Sequence, residues 1–170
     1  IGASWSSHSL QMAPILQKAK IPMITGSSTN PKITRIGNYI FRSCFIDSFQ
    51  AQAMAKFAYT DLGAKKAIVL EIINEEFSLT LAELFVRSFQ QYGGKVILKK
   101  RYENDTVDFS NILQEMNTLQ PVVIDVPGYV IDSGLLIKQA VSIGIRKSFL
   151  GADGWAGSLI YTYVGDALEG

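Results

Sequence analysis

Apolar positions along the chain form two kinds of pattern that alternate. Where apolar residues recur every third or fourth position we predict helices, over about residues 7–19, 48–62, 78–92, 109–119, 132–144 and 158–163. Short, nearly continuous apolar runs predict buried strands at about 21–25, 39–45, 67–70, 96–98, 122–126 and 149–150. Strands that alternate with helices are typical of a parallel sheet. We therefore expect an α/β fold, in which a doubly wound parallel sheet carries helices on both faces.

The alternation becomes regular only beyond residue 46. From there four predicted strands alternate with helices, and the right-handed crossover rule gives the strand order 2-1-3-4, counting from the strand at Ala67, which is the flavodoxin-like order. Residues 1–46 supply only a helix and one or two strands, too little for a separate core. We expect residues 1–46 to be the remnant of a first lobe that ends at a hinge, and residues 47–170 to be a nearly complete second lobe.

Three expectations concern details of these elements. Pro14 lies inside the first helical segment and predicts a bend or a later start. Asp132 precedes a helical period and is expected to cap that helix. In the incomplete first lobe, Ile21, Met23 and Ile24 are expected to lack the neighbours that would bury them, which leaves an apolar strip for self-association.

Composition narrows the class of function. The chain has 170 residues, of which 48% are apolar, and its 16 basic residues nearly balance its 15 acidic ones. The sequence has no basic stripe, so a nucleic-acid partner is not expected, and no apolar stretch reaches the ~20 residues that a membrane span needs. The single cysteine, Cys44, lies in an apolar run and is expected to be a buried, inert thiol.

The sequence also lacks the signatures of catalysis and of metal binding. His8 is the only histidine and no clustered metal-ligand set accompanies it, so we expect neither a metal nor a cofactor. Neither a Gly-x-Ser-x-Gly elbow nor a Gly-x-Gly-x-x-Gly after a strand occurs. Ser6, His8 and Asp153 are the residue types of a catalytic triad, but Ser6 and His8 stand two apart on one loop. We therefore expect a protein that is not an enzyme.

Polar segments rich in small or hydroxylated residues supply the candidate chemistry. Ligands bind beyond the carboxyl ends of strands in open parallel sheets, and three of these segments follow predicted strands, so they predict a small-molecule site. Hydroxyls and amides at a helix start suit a carboxylate, and Asp153 suits a cation. Ser6, Ser7 and Asp153 would equally serve as helix caps. The segments are residues 5–9, 26–31, 127–129 and 151–155.

The order and spacing of these and several other segments resemble the substrate-binding proteins of ABC transporters for branched-chain amino acids, which have the type I periplasmic binding fold. The resemblance covers essentially the whole chain and corresponds to roughly half of a family member, from its middle, so the chain resembles an internal fragment. The segments that carry it are Ile1-Gly2, Ser6-Ser7, Pro22-Met23-Ile24, Ser27-Ser28-Thr29-Asn30-Pro31-Lys32-Ile33-Thr34, Phe41-Arg42, Leu62-Gly63-Ala64-Lys65-Lys66, Asp108-Phe109-Ser110, Pro127-Gly128-Tyr129, Ile137-Lys138-Gln139-Ala140 and Gly151-Ala152-Asp153-Gly154-Trp155.

The resemblance implies a role for each polar segment. Hydroxyls of the first two segments would bind the α-carboxylate of an amino acid, and Asp153 would bind its ammonium group. Many family members have glutamate at the position of Asp153, so the shorter side chain would move the ligand or require a water. The ligand-binding residues that the resemblance implies are Ser6, Ser27, Ser28, Thr29, Phe77, Tyr129, Asp153 and Gly154.

Aromatic residues would form the rest of the site. Tyr129 matches an aromatic residue that closes over the ligand from the second lobe, and Phe77 matches a position that is often tyrosine. Trp5 and Trp155 stand beside pocket residues in the sequence, so we expect them either to line the side-chain subsite or to pack in the core. Glu71 replaces a residue that is commonly aromatic or uncharged. It is expected either on a loop surface or where it alters selectivity.

For the whole protein the resemblance implies an extracytoplasmic solute-binding protein of an ABC importer. It would bind an amino acid, of the aliphatic or branched-chain kind, between two lobes that close by hinge motion. Its partner would be a membrane permease, and its location periplasmic or extracellular, free or lipid-anchored. Two alternatives remain open. One is a ligand-sensing domain of a transcription regulator or receptor with the same fold, and the other is a binding protein for an amide, urea or an aromatic acid.

Overall fold

The structure, a computed structural model, describes residues 1–168, in which helices and strands alternate. A π-helical turn, Phe57–Asp61, extends the second helix, and 3-10 turns cover Ile33–Arg35, Asp153–Trp155 and Gly165–Leu168. The strands are β1 (Met23–Thr25), β2 (Ile40–Arg42), β3 (Lys66–Ile72), β4 (Lys95–Tyr102), β5 (Val123–Asp125) and β6 (Ser148–Leu150). The α-helices are α1 (Ser6–Lys18), α2 (Asp47–Lys56), α3 (Glu76–Gln91), α4 (Ser110–Leu119), α5 (Val130–Ser142) and α6 (Leu159–Val164).

The strands form two parallel sheets. β1 pairs with β2 in the smaller sheet, with Met23 opposite Ile40. The larger sheet has the order β4-β3-β5-β6, which confirms the predicted order 2-1-3-4. β3 pairs with β4 on one side and with β5 on the other, where Ala67 lies opposite Val123. Because all these strands run the same way, the carboxyl ends of β3, β5 and β6 share one edge of the sheet.

Helices cover both faces of the larger sheet because its central strands are apolar on both sides. On one face, Ile68, Leu70 and Ile124 pack against residues of α4, α5 and α6. On the other face, Val69 packs with the buried side of α2 and α3, including Phe85. Each fully buried side chain of this size contributes about 1.5–3 kcal/mol of transfer free energy. The prediction of a doubly wound α/β sheet is confirmed.

The chain before α2 has a small apolar cluster of its own. Met23 packs there with Ala13 and Ile40 and is 1% exposed, so the expectation that Met23 lacks covering neighbours is wrong. Side chains alternate between the two faces of a strand, and Met23 takes the inner face of β1. Ile24 takes the outer face and is about half exposed, as is Ile21 before it. These two exposures agree with the expectation.

Three local expectations also need correction. The helix α1 starts at Ser6 and contains Pro14, so the later start is wrong. Asp132 does cap α5, but from the first turn of the helix rather than from ahead of it, because its Oδ1 accepts a hydrogen bond from the Tyr129 amide at 3.0 Å. Cys44 is half-buried rather than fully buried. Desolvation still raises the pKa of the Cys44 thiol, which disfavours the reactive thiolate.

Candidate functional site

A cavity of about 210 Å³ lies where the carboxyl edge of the larger sheet meets the start of α1 and the loop after β1. Its walls come from places far apart in the sequence, because each sheet edge collects the loops that follow its strands. Of the site residues predicted from the sequence, Ser28 and Trp155 do not line this cavity. The lining residues are Ser4, Trp5, Ser6, Ser27, Thr29, Phe77, Tyr129, Asp153 and Gly154.

The hydroxyl groups at the cavity differ in whether their hydrogen is still available for a bond to a ligand. The Ser6 hydroxyl accepts a bond from the Asn30 amide at 3.2 Å, which leaves its own hydrogen for a ligand. The Thr29 hydroxyl oxygen is buried and has no hydrogen-bond partner within residues 1–168. The Ser27 hydroxyl instead donates to the Ser4 carbonyl at 3.0 Å. Ser6 and Thr29 are therefore the better placed donors.

Ser28 stabilises the loop after β1 from the side that faces away from the cavity. It is fully buried, and its hydroxyl lies 2.7 Å from that of Ser9 and within 3.0 Å of the carbonyls of Ala3 and Ser4. Its amide donates to Oγ1 of Thr25 at 3.0 Å. These bonds join the start of the chain, α1 and the loop after β1. Ser28 thus supports the loop that presents Thr29 and does not itself face the cavity.

Arg42 supports the same loop from β2. Its Nη1 donates to the carbonyls of Ser28 at 3.2 Å and Asn30 at 2.9 Å, the two residues that flank Thr29. Burial lowers the pKa of the guanidinium, although the group keeps its charge because an arginine pKa lies far above neutrality. Bonds to a charged donor are stronger than neutral ones. The backbone around Thr29 is therefore fixed on both sides.

Asp153 provides the negative group of the site. It opens the 3-10 turn after β6, and the side-chain amide of Gln50 contacts it twice. Gln50 Nε2 donates to Asp153 Oδ1 at 2.9 Å, and the Asp153 amide donates to Gln50 Oε1 at 3.3 Å. Burial raises the pKa of the Asp153 carboxyl, and the Gln50 bond offsets part of that rise. These contacts fix one carboxylate oxygen, and the backbone amides of Asp153 and Gly154 also favour the charged form of the carboxyl group.

Aromatic rings form the apolar wall of the cavity. Tyr129 lies between Trp5 and Phe77, with ring centroids 5.1 Å and 5.6 Å away. Its hydroxyl donates to Oε1 of Glu75 at 3.1 Å, so the polar end of the ring is already engaged. Trp5 also stacks on His8 at 5.4 Å. The rings thus offer carbon surfaces, which suit an apolar ligand group.

Gly154 allows two loops of the site to touch. A Cβ at position 154 would lie 2.4 Å from the carbonyl oxygen of Gly128 and 3.2 Å from the ring of Phe77. Backbone cannot yield as the end of a side chain can, so any other residue would push the loop after β6 away from the loop after β5. The absence of a side chain at this position therefore sets the distance between Asp153 and Tyr129.

Two residues beneath the cavity were not predicted from the sequence. Asp47, the first residue of α2, is fully buried, and its amide donates to the Thr29 carbonyl at 3.0 Å. Gln50 Nε2 donates to Asp47 Oδ1 at 2.9 Å in addition to Asp153. An acidic residue followed three positions later by Gln is a signature of a helix start. That signature indicates local capping and carries no information about a contact with Asp153.

Two residues singled out in the sequence lie elsewhere. Trp155 packs beside α5, where its indole nitrogen donates to the Ser133 hydroxyl at 2.8 Å. Glu71 is neither on a loop nor in the cavity lining, because it is buried on β3. Its carboxylate pairs with Arg101 at 2.6 Å and Lys99 at 2.8 Å on the neighbouring strand β4. A charge buried in this way needs such partners.

None of the helices within residues 1–168 combines the length and the apolar character needed to cross a membrane. Across those residues, no three His, Cys, Asp or Glu side chains are grouped as the ligands of a metal ion would be.

Fold and site together define a class of protein. A doubly wound parallel sheet and a separate small sheet border one cavity at the carboxyl ends of their strands, which is how α/β proteins hold small molecules. A family model described as periplasmic binding protein matches residues 1–170. The chain belongs to this family.

Relatives within the family cover the whole chain. A leucine-, isoleucine-, valine-, threonine- and alanine-binding protein of Pseudomonas aeruginosa is 28% identical over 171 residues, which are 100% of this chain and 46% of the relative. The solved leucine binding protein LivK of Thermotoga maritima is 36% identical with a TM-score of 0.96, over 99% of this chain and 48% of the other. The branched-chain amino acid transporter substrate binding protein LivJ of Streptococcus pneumoniae, solved with isoleucine, is 26% identical with a TM-score of 0.86, over 96% of this chain and 46% of the other. The chain thus spans about half the length of these relatives.

Proposed function

We propose that the chain is part of an extracytoplasmic solute-binding protein of an ABC importer, and that its cavity binds an aliphatic amino acid. The observation that carries the proposal is the presence, on one small cavity, of hydroxyl donors at Ser6 and Thr29 and a carboxylate at Asp153. An amino acid is a zwitterion, so each of its charged ends would find its complement there. Sites for drug-sized ligands measure about 300–1,000 Å³, so this smaller cavity suits a compact ligand.

The aromatic wall supports an apolar ligand side chain. Glu75 accepts a hydrogen bond from the hydroxyl of Tyr129. The rings of Trp5, Phe77 and Tyr129 therefore expose mainly carbon atoms to the cavity. Burial of a leucine-sized side chain contributes about 1.5–3 kcal/mol. The relatives named above bind leucine, isoleucine, valine and similar amino acids according to their names, which agrees with this choice.

We further propose that residues 1–46 and 47–170 belong to two lobes joined by a hinge near Ile46, which close on the ligand. The separate sheets and separate apolar clusters on either side of Ile46 support this division. The family description, periplasmic binding protein, supports a location outside the cytoplasm. The description of LivJ as the substrate binding protein of a branched-chain amino acid transporter supports a membrane permease as the partner.

An aromatic carboxylic acid is a second candidate ligand, which the three rings of the wall favour. It would satisfy Ser6 and Thr29 with its carboxylate, as an amino acid would. It has no ammonium group, however, so Asp153 would be covered by the ligand without a partner. Covering an ionised carboxylate without a partner is unfavourable. An amino acid is therefore the better match.

The test is calorimetric titration of the full-length protein with leucine, isoleucine, valine and benzoate, for wild type and Asp153→Asn. Asparagine keeps the oxygen that accepts from Gln50 and removes the charge. Removing one partner of a buried charge pair costs roughly 2–5 kcal/mol, so amino-acid affinity should fall about 30- to several-thousand-fold. Because burial disfavours the charged carboxylate, the melting temperature of the unliganded protein should not fall.

The matched control is Asp105→Asn, at an exposed acidic residue. It should bind like wild type. Wild-type affinity in Asp153→Asn would remove the ammonium assignment, and tighter binding of benzoate than of leucine by wild type would favour the second candidate.

A further inference from the structure

The first turn of α2 touches both sides of the cavity without lining it. The amide of Asp47 donates to the Thr29 carbonyl at 3.0 Å, on the side of the hydroxyl donors. The side chain of Gln50 bonds to Asp153 on the carboxylate side. Residues three apart on a helix share one face, so a single helical turn reaches both sides of the site.

Gln50 is the centre of this arrangement. Its Nε2 has two hydrogens, and both are directed at carboxylates, Oδ1 of Asp47 and Oδ1 of Asp153, each at 2.9 Å. Its Oε1 accepts from the Asp153 amide at 3.3 Å, and this bond settles which end of the amide faces Asp153. Gln50 itself is 7% exposed. The amide is thus fully used in fixing two acidic side chains.

Asp47 carries a polar atom that the fold alone does not account for. Its Oδ2 is buried and has no hydrogen-bond partner within residues 1–168. Leaving such an oxygen unpaired inside a protein is costly. Its other oxygen, Oδ1, accepts from the Gln50 side chain, and no side chain caps the start of α2, so Asp47 serves the contact with Gln50 rather than the start of the helix.

We propose that Gln50 and Asp47 are positioning residues for ligand binding, which hold the carboxylate of Asp153 in the orientation that meets the ammonium group and connect it to the loop of Thr29. The inference rests on the proposed function for its ligand. Gln50 acts directly on Asp153, and Asp47 acts through Gln50 and through the carbonyl of Thr29.

The charges around Asp47 give the arrangement a dependence on pH. Burial raises the pKa of Asp47 to about 6, and the charge of Asp153 adds to the rise, whereas the bond from Gln50 and the charge of Arg42 offset part of it. The nearby thiol of Cys44 is also a titratable neighbour. An ammonium ion favours ionised carboxylates close to it. Amino-acid binding should therefore release protons, and affinity should fall as the pH drops below about 6.

The first experiment replaces Gln50 by methionine, which has a similar length and no donor. In the full-length protein, Gln50→Met should weaken leucine binding about tenfold to a hundredfold. The control Gln52→Met lies on the exposed side of the same helix and should bind like wild type. Unchanged leucine affinity in Gln50→Met, or a loss that only follows a fall in melting temperature, would overturn the inference.

The second experiment uses Asp47→Asn, which keeps the shape of the side chain and removes its ionisation. Leucine affinity of wild type should fall between about pH 7 and pH 5, and Asp47→Asn should flatten this profile. A purely structural residue would not change the profile. An identical profile in wild type and variant would exclude a role for Asp47.

The third experiment needs no ligand and separates the inference from the proposed function. Carboxyl ¹³C NMR titration of the unliganded protein should show that Gln50→Met raises the pKa of Asp153, because the bond that favours the charged form is lost. If wild type bound no amino acid, the proposed function would fail while this shift still tested the role of Gln50. If leucine bound but Gln50→Met left the pKa of Asp153 unchanged, only the inference would fail.

Discussion

At the scale of single residues, the hydroxyl groups of the site have unequal tasks. Ser6 and Thr29 keep a hydrogen for a ligand, Ser27 donates to the Ser4 carbonyl, and Ser28 is enclosed by other loops. We therefore predict that Thr29→Ala and Ser6→Ala weaken leucine binding by roughly 1–3 kcal/mol, whereas Ser27→Ala costs much less. Calorimetry on the full-length variants measures this order.

Ser28 serves as the contrast within the same loop. Ser28→Ala removes bonds to the start of the chain and to α1, so it should lower the melting temperature of the unliganded protein. Thr29→Ala removes a hydroxyl without a partner in residues 1–168 and should not. If Ser27→Ala weakened binding as much as Thr29→Ala, the division drawn from the hydrogen bonds would be wrong.

Asp125 is the least satisfied charge-bearing residue among residues 1–168. It is fully buried on β5, and both its carboxyl oxygens have no partner within those residues. Burial raises its pKa well above the ordinary value. Because the folded pKa is the higher one, the favourable contribution of this group is complete below the unfolded pKa of about 4 and is lost as pH rises through the folded pKa.

We therefore predict that Asp125→Val raises the free energy of unfolding near neutral pH by about 1–3 kcal/mol, since valine suits a buried strand and needs no partner. Urea unfolding at several pH values measures it. Asp125→Asn is the matched variant, because it stays polar and cannot ionise. Its stability relative to wild type should improve as the pH rises, and a loss of stability in Asp125→Val at every pH would contradict the account.

The sequence allowed part of the site to be predicted at this scale. The strand pattern placed the polar segments of Thr29 and Asp153 at one sheet edge, and the resemblance to a family of binding proteins assigned Ser6, Thr29 and Asp153 to the ligand. The enclosure of Ser28 could not, because it depends on carbonyls of Ala3 and Ser4, more than twenty positions away along the chain. The contact between Gln50 and Asp153 spans 103 positions, and no local pattern indicates it.

At the scale of elements, the hydrophobic pattern predicted the strand order of the larger sheet but not the ends of its helices. The strand order follows from two properties: some apolar runs are buried on both faces of the sheet, and the crossover connections are right-handed. The ends depend on single bonds: the bond from the Tyr129 amide to Asp132 lets α5 start at Val130 rather than at Asp132.

Edge strand β4 shows how charge and pairing combine in one element. Arg101 and Lys99 reach across to Glu71 on β3, while Lys100 on the other face pairs with Glu115 of α4. Lysine and arginine along an edge strand also oppose pairing with a second sheet. The basic residues of β4 thus stabilise the sheet itself, with Glu71 as the buried counter-charge of Lys99 and Arg101.

At the scale of the whole molecule, polar side chains join residues before Ile46 to residues after it. Asn30 Nδ2 donates to the Thr80 hydroxyl at 2.9 Å, and Lys32 pairs with Glu76 at 3.0 Å. Both partners of that ion pair are largely exposed, and such pairs are worth about 0–1 kcal/mol. Pairs this weak are compatible with the proposed hinge closure.

Trp5 is placed to report that motion. It lines the cavity, is 45% exposed, and stacks on Tyr129, which belongs to the other proposed lobe. Trp155 lies away from the cavity, bonded to Ser133. Leucine binding to the full-length protein should therefore change the emission of Trp5, because ligand and closure alter its contact with water and with Tyr129. Trp5→Phe should abolish most of the leucine-dependent fluorescence change, and Trp155→Phe should retain it. A change that survives in Trp5→Phe and disappears in Trp155→Phe would place the ligand beside α5 and contradict the proposed site.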